Sequence, residues 1–421
     1  MRTEITINAS NNPAANYIGW APVRSQIRLA DLSGVTGPVT VRLRNQNSGT
    51  GGQITFFSTI LRTWGDELPL TLPANGSPVD FFIAGRFGRP SMADRDAAIQ
   101  VINASDAREL SITRLMVRIR KNANNLTIAE RDRFLSALAR LNDRGMGRFS
   151  DFRNIHRSAA NDEAHGFAGF LPWHRAFLLD LERELQQIDP SVALPYWRFD
   201  QPAPRLFSRD FIGVADFNLG RVQFSPSNPL QFWTTDLAPG VVRPPRFNTS
   251  TSRASNERGA VISEIDTLLQ GGPNNQYRAF AILEDKPHNH AHTCFGGFIS
   301  DLDTAAKDPL FFLLHANVDR LWAKWQWFNR RFDITSTNSY SFLGRAGDPR
   351  ATRIGHNLND TMWPWNQMTG GFRPNTAPGG NFPNSSTTRA PGPTPAVRDM
   401  IDYQGLIDPA RRLGFDYDDV P

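Results

Sequence analysis

A single cysteine, Cys294, stands in 421 residues, so no intrachain disulfide can form. That usage fits a reducing compartment. No run approaches the roughly 18 continuous apolar residues of a membrane-spanning helix, so no membrane partner is expected. Blocks of like charge are also missing. The net charge of +5 comes from 46 Lys and Arg against 41 Asp and Glu, and the excess is arginine scattered along the chain. A nucleic-acid footprint needs a clustered basic stripe, so no nucleic-acid partner is expected either. The opening Met1-Arg2-Thr3-Glu4-Ile5 lacks the apolar stretch of a secretory leader, which points to a cytoplasmic location.

What is present suffices for real cores. Hydrophobic residues make up 40% and charged residues only 21%, outside the disordered range. The length predicts more than one domain. Residues 1–117 read as β: Ile5-Thr6-Ile7, Val39-Thr40-Val41-Arg42-Leu43, Ile54-Thr55-Phe56-Phe57 and Val79-Asp80-Phe81-Phe82-Ile83 are short runs punctuated by Gly, Pro, Asn and Asp. Such spacing suggests a β-sandwich, and it holds no catalytic motif. Residues 118–421 change character. Thr127 with Glu130 predicts a capping box. Pro172 and Asp308-Pro309 predict two further helix starts, the first ending at Asp189-Pro190 and the second running to about Arg330. Residues 200–260 and most of those after 332 read as loops. The expected fold is therefore α+β and multidomain.

Seven of the eight histidines fall in two stretches: His156, His165 and His174, then His288, His290, His292 and His315. Imidazole is the commonest neutral metal ligand, and two separated triplets suit a pair of metal ions. His288 and His292, at i and i+4, project from one helical face. His290 points away and is set aside. His156 is expected from a preceding helix, His165 from a loop, and His174 from the first turn after Pro172. Asp319, four residues beyond His315, is positioned to accept that ligand's free ring N–H. Three imidazoles per ion leave open positions, as in catalytic sites. The ligand type suits copper or zinc. A hydrolytic His-Glu-x-x-His zinc motif is absent, because Asn289 follows His288, but spacing alone leaves both metals open.

The strings Phe170-Leu171-Pro172-Trp173-His174-Arg175, Asp308-Pro309-Leu310-Phe311-Phe312 and His315-Ala316-Asn317-Val318-Asp319-Arg320-Leu321-Trp322, in this order, resemble the tyrosinase and polyphenol oxidase family of binuclear copper proteins. The resemblance implies a mainly α-helical catalytic domain with a four-helix core, and two copper ions as cofactor. One ion would take His156, His165 and His174, and the other His288, His292 and His315. It also implies that Glu284 holds a water and that Asn289 helps that water deprotonate a phenol. Leu302 takes the place of a gate residue, with Thr293 and Leu314 beside the pocket. Gly414-Phe415-Asp416-Tyr417 resembles a segment that latches the two ends of the domain, with Arg120 as its partner.

Three departures bear on that picture. Leu314 stands where relatives usually have a second His next to the ligand. Glu163 stands where many have a Cys cross-linked to the second ligand, so no thioether can form. The chain ends after the latch, without the C-terminal lid of latent forms, and the N-terminal β unit is an addition of unassigned role. The activity implied is ortho-hydroxylation of monophenols and oxidation of o-diphenols to o-quinones, with phenolic small molecules and O2 as partners. The rivals are an o-diphenol-only or o-aminophenol oxidase, and an oxygen carrier of haemocyanin type.

Overall fold

The N-terminal alternation is realised as two stacked sheets. In a computed structural model of the chain, the described residues are 1–421 except 48, 50, 60, 61, 158–160, 167, 216–219, 343–354 and 372; at 47, 62–64 and 161 only the backbone is described. The strands are β1 (Arg2–Ile7), β2 (Tyr17–Ile18), β3 (Val23–Asp31), β4 (Val39–Asn47), β5 (Ile54–Thr59), β6 (Arg62–Gly65), β7 (Glu67–Leu72), β8 (Val79–Gly85), β9 (Ala97–Asn103) and β10 (Glu109–Val117). One sheet has the order β1-β3-β8-β5-β6 and the other β2-β10-β9-β4-β7. In β3, Val23, Ser25, Ile27 and Leu29 are buried while Arg24 and Arg28 are exposed. A one-residue slip would reverse that sorting. Ile27, Phe56 and Ile83 from one sheet meet Leu43, Ile99 and Val101 from the other in a core that is fully shielded from solvent.

A second core runs from Ala123 to Val420. Its helices are α1 (Ile128–Asn142), α2 (Phe149–Ile155), α3 (Asn161–Ala164), α4 (Phe170–Ile188), α5 (Glu264–Leu268), α6 (Tyr277–Phe280), α7 (His290–Thr293) and α8 (Leu310–Asn329). The Thr127–Glu130 capping box is formed at the start of α1. α4 begins two residues before Pro172, which sits in the first turn, where its missing N–H goes unmissed. Asp308 accepts the Leu310 N–H at 2.9 Å and so opens α8. α4 packs against both α8 and α1. Both α4 and α8 are buried on nearly every face, as core helices must be if they are apolar all round. No helix among the described residues is long and apolar enough to cross a membrane.

The two ends of the helical unit meet beside α4 and α8. The Arg120 N–H donates to the Asp416 carbonyl at 2.8 Å, and the Asp418 N–H donates back to Arg120 at 3.0 Å. The Arg120 side chain, fully buried, pairs with Glu182 at 2.6 Å, donates to the Tyr417 hydroxyl at 2.8 Å and lies 3.7 Å above the Phe415 ring. A buried guanidinium requires such pairing.

Candidate metal centre

Six histidines from five pieces of chain converge between α4 and α8. His156 caps the end of α2, His165 follows α3, His174 lies in the second turn of α4, and His315 lies on α8. His288 and His292 flank the junction of a π-turn, Asp285–Asn289, with α7. Their rings are 4.6 Å apart, so the i, i+4 relationship brings them together. His174 and His315 stack at 4.3 Å with 11° between planes. His165 is 5.0 Å from both His156 and His174. Phe311 packs 4.2 Å from His315, and Phe170 packs 4.8 Å from His288. His290 turns away and meets Asn256 Oδ1 at 3.1 Å.

The ring nitrogens are arranged for a cation. His174, His288 and His292 each give their Nδ1–H to a backbone carbonyl, of Phe170, Glu284 and Ile299, at 2.9, 2.9 and 2.6 Å. Each Nε2 is thereby left as a lone pair. The His288 and His292 Nε2 atoms lie 3.2 and 3.1 Å from His315 Nε2, which has at most one hydrogen to share between them. Both nitrogens of His156, His165 Nδ1 and His174 Nε2 are buried with no partner. Burial, reinforced by neighbouring imidazoles, lowers His156 to about 3, and burial lowers His292 to about 4. The same causes hold His165, His174, His288 and His315 well below the usual imidazole range. All six are neutral at neutral pH and could serve as ligands. Converging buried imidazole nitrogens, several of them without a hydrogen-bond partner, fit a metal.

Donor atoms close enough to share an ion fall into two groups: His156 with His174 and His315, and His288 with His292 and His315. His315 therefore stands at the centre of the cluster. His165 approaches from the open side.

The common central domain of tyrosinase matches residues 146–328. A tyrosinase of Streptomyces glaucescens is 33% identical over 275 residues, which is 60% of this chain and 93% of that protein. One of Streptomyces antibioticus is 33% identical over 281 residues, 60% of this chain and 94% of that protein. The chain belongs to the tyrosinase family. Its cofactor is thus a pair of copper ions, for which an all-imidazole donor set is suited. An A-type hemocyanin of Enteroctopus dofleini is also similar, 26% identical over 268 residues, covering 58% of this chain and 21% of that protein.

A cavity of about 420 Å³ opens onto the cluster. Glu284, Asn289, Thr293 and Leu302 all line it, beside His156, His165, His288 and His292. Glu284 Oε1 accepts the Gly166 N–H at 2.6 Å, and burial lifts its carboxyl to about 7.

Two expected residues are placed elsewhere. Leu314 is fully buried and is not among the cavity's lining residues; one step round α8 from His315, it faces the helical core. Asp319 makes no bond to His315. Its oxygens take Arg175 Nε at 2.6 Å, the Tyr417 hydroxyl at 2.6 Å and Arg120 Nη1 at 3.1 Å, while His315 Nδ1 has no partner. Helical side chains lean toward the N-terminus, so His315 leans onto Phe311, and two buried guanidinium groups claim Asp319. Cys294 is a buried thiol, pushed up to about 12 by burial, that donates to the His290 carbonyl. Sequence reasoning missed Asp162 and Asp301 in the cavity lining, and the eighth histidine, His356. None of these sits in a ligand string.

Proposed function

We propose that this chain oxidises phenols with O2, hydroxylating monophenols at the ortho position and converting o-diphenols to o-quinones while O2 is reduced to water. One observation carries the reading: a carboxyl lifted to about 7, Glu284, opens into the same cavity as the unpartnered imidazoles. Two bound copper ions would supply the O2 chemistry, held by His156, His165, His174, His288, His292 and His315.

The chain's own residues supply binding and proton handling. A phenol's pKa is near 10, so a monophenol must lose its proton before it can engage a metal. Beside bound copper ions the Glu284 carboxyl would fall from its metal-free value of about 7, so that it stands ionised at neutral pH and ready to accept that proton. It takes that proton directly or through one water shared with the Asn289 amide. The Gly166 N–H keeps one carboxyl oxygen fixed during the transfer. Ile299 and Leu302 offer apolar contact to the ring. Asp162 and Asp301 line the cavity, and among the described lining residues none is Lys or Arg. Cationic and neutral phenols are therefore favoured over carboxylated ones.

A catechol presents two adjacent hydroxyls and depends less on a positioned base. Glu284→Gln should therefore lose roughly a hundredfold in monophenol turnover, within the usual worth of a general base, with far less loss on catechol and copper retained. Equal loss on both substrates would refute the role of Glu284. The similarity to hemocyanin favours a second reading, a reversible oxygen carrier. A carrier binds O2 without consuming catechol. Oxygen uptake with a monophenol, a catechol and an o-aminophenol also separates the o-diphenol-only and o-aminophenol oxidases.

A further inference from the structure

We propose that His356 is a positioning residue for His165, stapling shut the loop that presents this ligand to its ion. The inference rests on the reading of His165 as a copper ligand. His174, His288 and His292 are each aimed by an Nδ1 hydrogen bond to a carbonyl. His165 has no such handle, and its Nδ1 is buried without a partner. Its direction must come from its backbone and from the rings of His156, Phe170 and His174 packed around it. That backbone is the connection from α3 to α4, which contains Gly166 at φ +80 and Gly169. Such a stretch gives up much conformational freedom on being fixed.

His356 restricts it. The residue is fully buried and comes from a segment 187 residues downstream of Gly169. Its Nδ1 accepts the Gly169 N–H at 3.0 Å, and its Nε2 meets the Asp162 carbonyl at 2.6 Å. A carbonyl can only accept, so Nε2 carries the hydrogen and the ring is the neutral Nε2–H tautomer. One rigid imidazole thus ties together the two ends of the loop, with His165 between them. The fit is close: a methyl group on Gly169 would come within 2.5 Å of His356 Nδ1.

The same downstream segment grips the loop a second time. Glu163 accepts the Trp363 N–H at 2.9 Å and Arg373 Nε at 2.5 Å, both within the core. Glu163 stands where the resemblance implies a cross-linking Cys in many relatives. Here the tether is non-covalent: His356, Glu163 and Arg373 act beside the Gly166 N–H bond to Glu284 and the Tyr277 hydroxyl bond to the Ala168 carbonyl. Tyr340 in turn donates its hydroxyl to the His356 carbonyl at 2.6 Å.

Residues that orient a metal ligand from behind are typically worth about 10–100-fold in metal affinity. The test is copper titration of the full chain against a competing chelator, with melting of the copper-free protein alongside. Wild type should take two ions. His356→Phe removes both ring nitrogens, and Gly169→Ala displaces the ring while leaving it intact. Each should hold one ion as wild type does and lose tenfold or more in affinity for the other. Trp20→Phe, which loses a buried bond between the two units and leaves His356 and the loop untouched, should retain both ions. Should His356→Phe fail to fold, Gly169→Ala decides. Wild-type affinity for both ions in His356→Phe and Gly169→Ala overturns the staple while leaving the ligand assignment intact. So does a matching loss in Trp20→Phe, which would indicate general loosening. Failure of wild type to bind copper overturns the ligand assignment, and this inference with it.

Discussion

Trp20 of the β-sandwich donates its indole N–H to the carbonyl of Tyr417 at 2.8 Å, across the boundary with the helical unit. The Trp20 backbone N–H reaches Asp416 Oδ2, also at 2.8 Å. The sandwich therefore grips the last residues of the chain. Among the described residues it contributes none to the lining of the metal cavity, whose walls come from His156 to Ala305. Trp20→Phe removes this bond and leaves the Tyr417 carbonyl only the longer one from the Val420 N–H at 3.3 Å, and a lost hydrogen bond costs about 0.5–1.5 kcal/mol. Urea unfolding should show that loss with copper content unchanged. Unchanged stability would mean that the contact does not join the two units.

Asp180 lies in α4, away from the ligands. Burial lifts its carboxyl to about 7, against the pull of the Trp365 indole N–H that it accepts at 2.6 Å. Between about pH 4 and 7 the folded chain keeps a proton there that the unfolded chain releases. This group's contribution to stability therefore falls as pH rises through that window, and above it a buried charge remains. Asp180→Asn keeps an acceptor for Trp365 and removes the charge. The variant should gain at least about 1 kcal/mol over wild type at pH 8 and little at pH 5. Equal shifts at both pH values, measured on copper-free protein, would contradict this.

Selectivity in the cavity should follow charge rather than Leu314. Asp301→Asn should lower the ratio of tyramine to tyrosine turnover by about two- to fivefold, the worth of one exposed charge. Leu314→His should leave that ratio unchanged and instead lower the melting temperature, because it buries a polar ring where Leu314 is fully enclosed. Steady-state assays on the two substrates test both arms. A ratio moved by Leu314→His alone would place residue 314 in the pocket after all.

What was legible in the sequence was local. The Thr127–Glu130 capping box, the Asp308-Pro309 helix start and the i, i+4 pair His288 and His292 each depend on residues a few positions apart, and each is in place. The ligand strings bring all six imidazoles into one cluster. What stayed hidden depends on distant partners. Asp319 lies one turn from His315, yet its carboxylate goes to Arg120, 199 residues away, and Arg175, 144 residues away. Buried guanidinium groups outbid a neutral ring. His356 carries no motif, and its partners, Asp162 and Gly169, lie 194 and 187 residues upstream. The resemblance puts Leu314 beside the pocket, but its side chain is fully buried and is not among the described residues that line the cavity.

The most direct test of a two-copper phenol-oxidising site is oxygen uptake by copper-loaded protein with excess catechol, with bound copper counted on the same sample. Wild type should carry two ions per chain and consume O2 over many turnovers. His290→Ala should match it, because His290 faces Asn256. His292→Ala, with one imidazole of a triplet gone, should bind less copper and lose turnover. Two bound ions with O2 taken up only once per site, or full turnover in His292→Ala, would contradict the account.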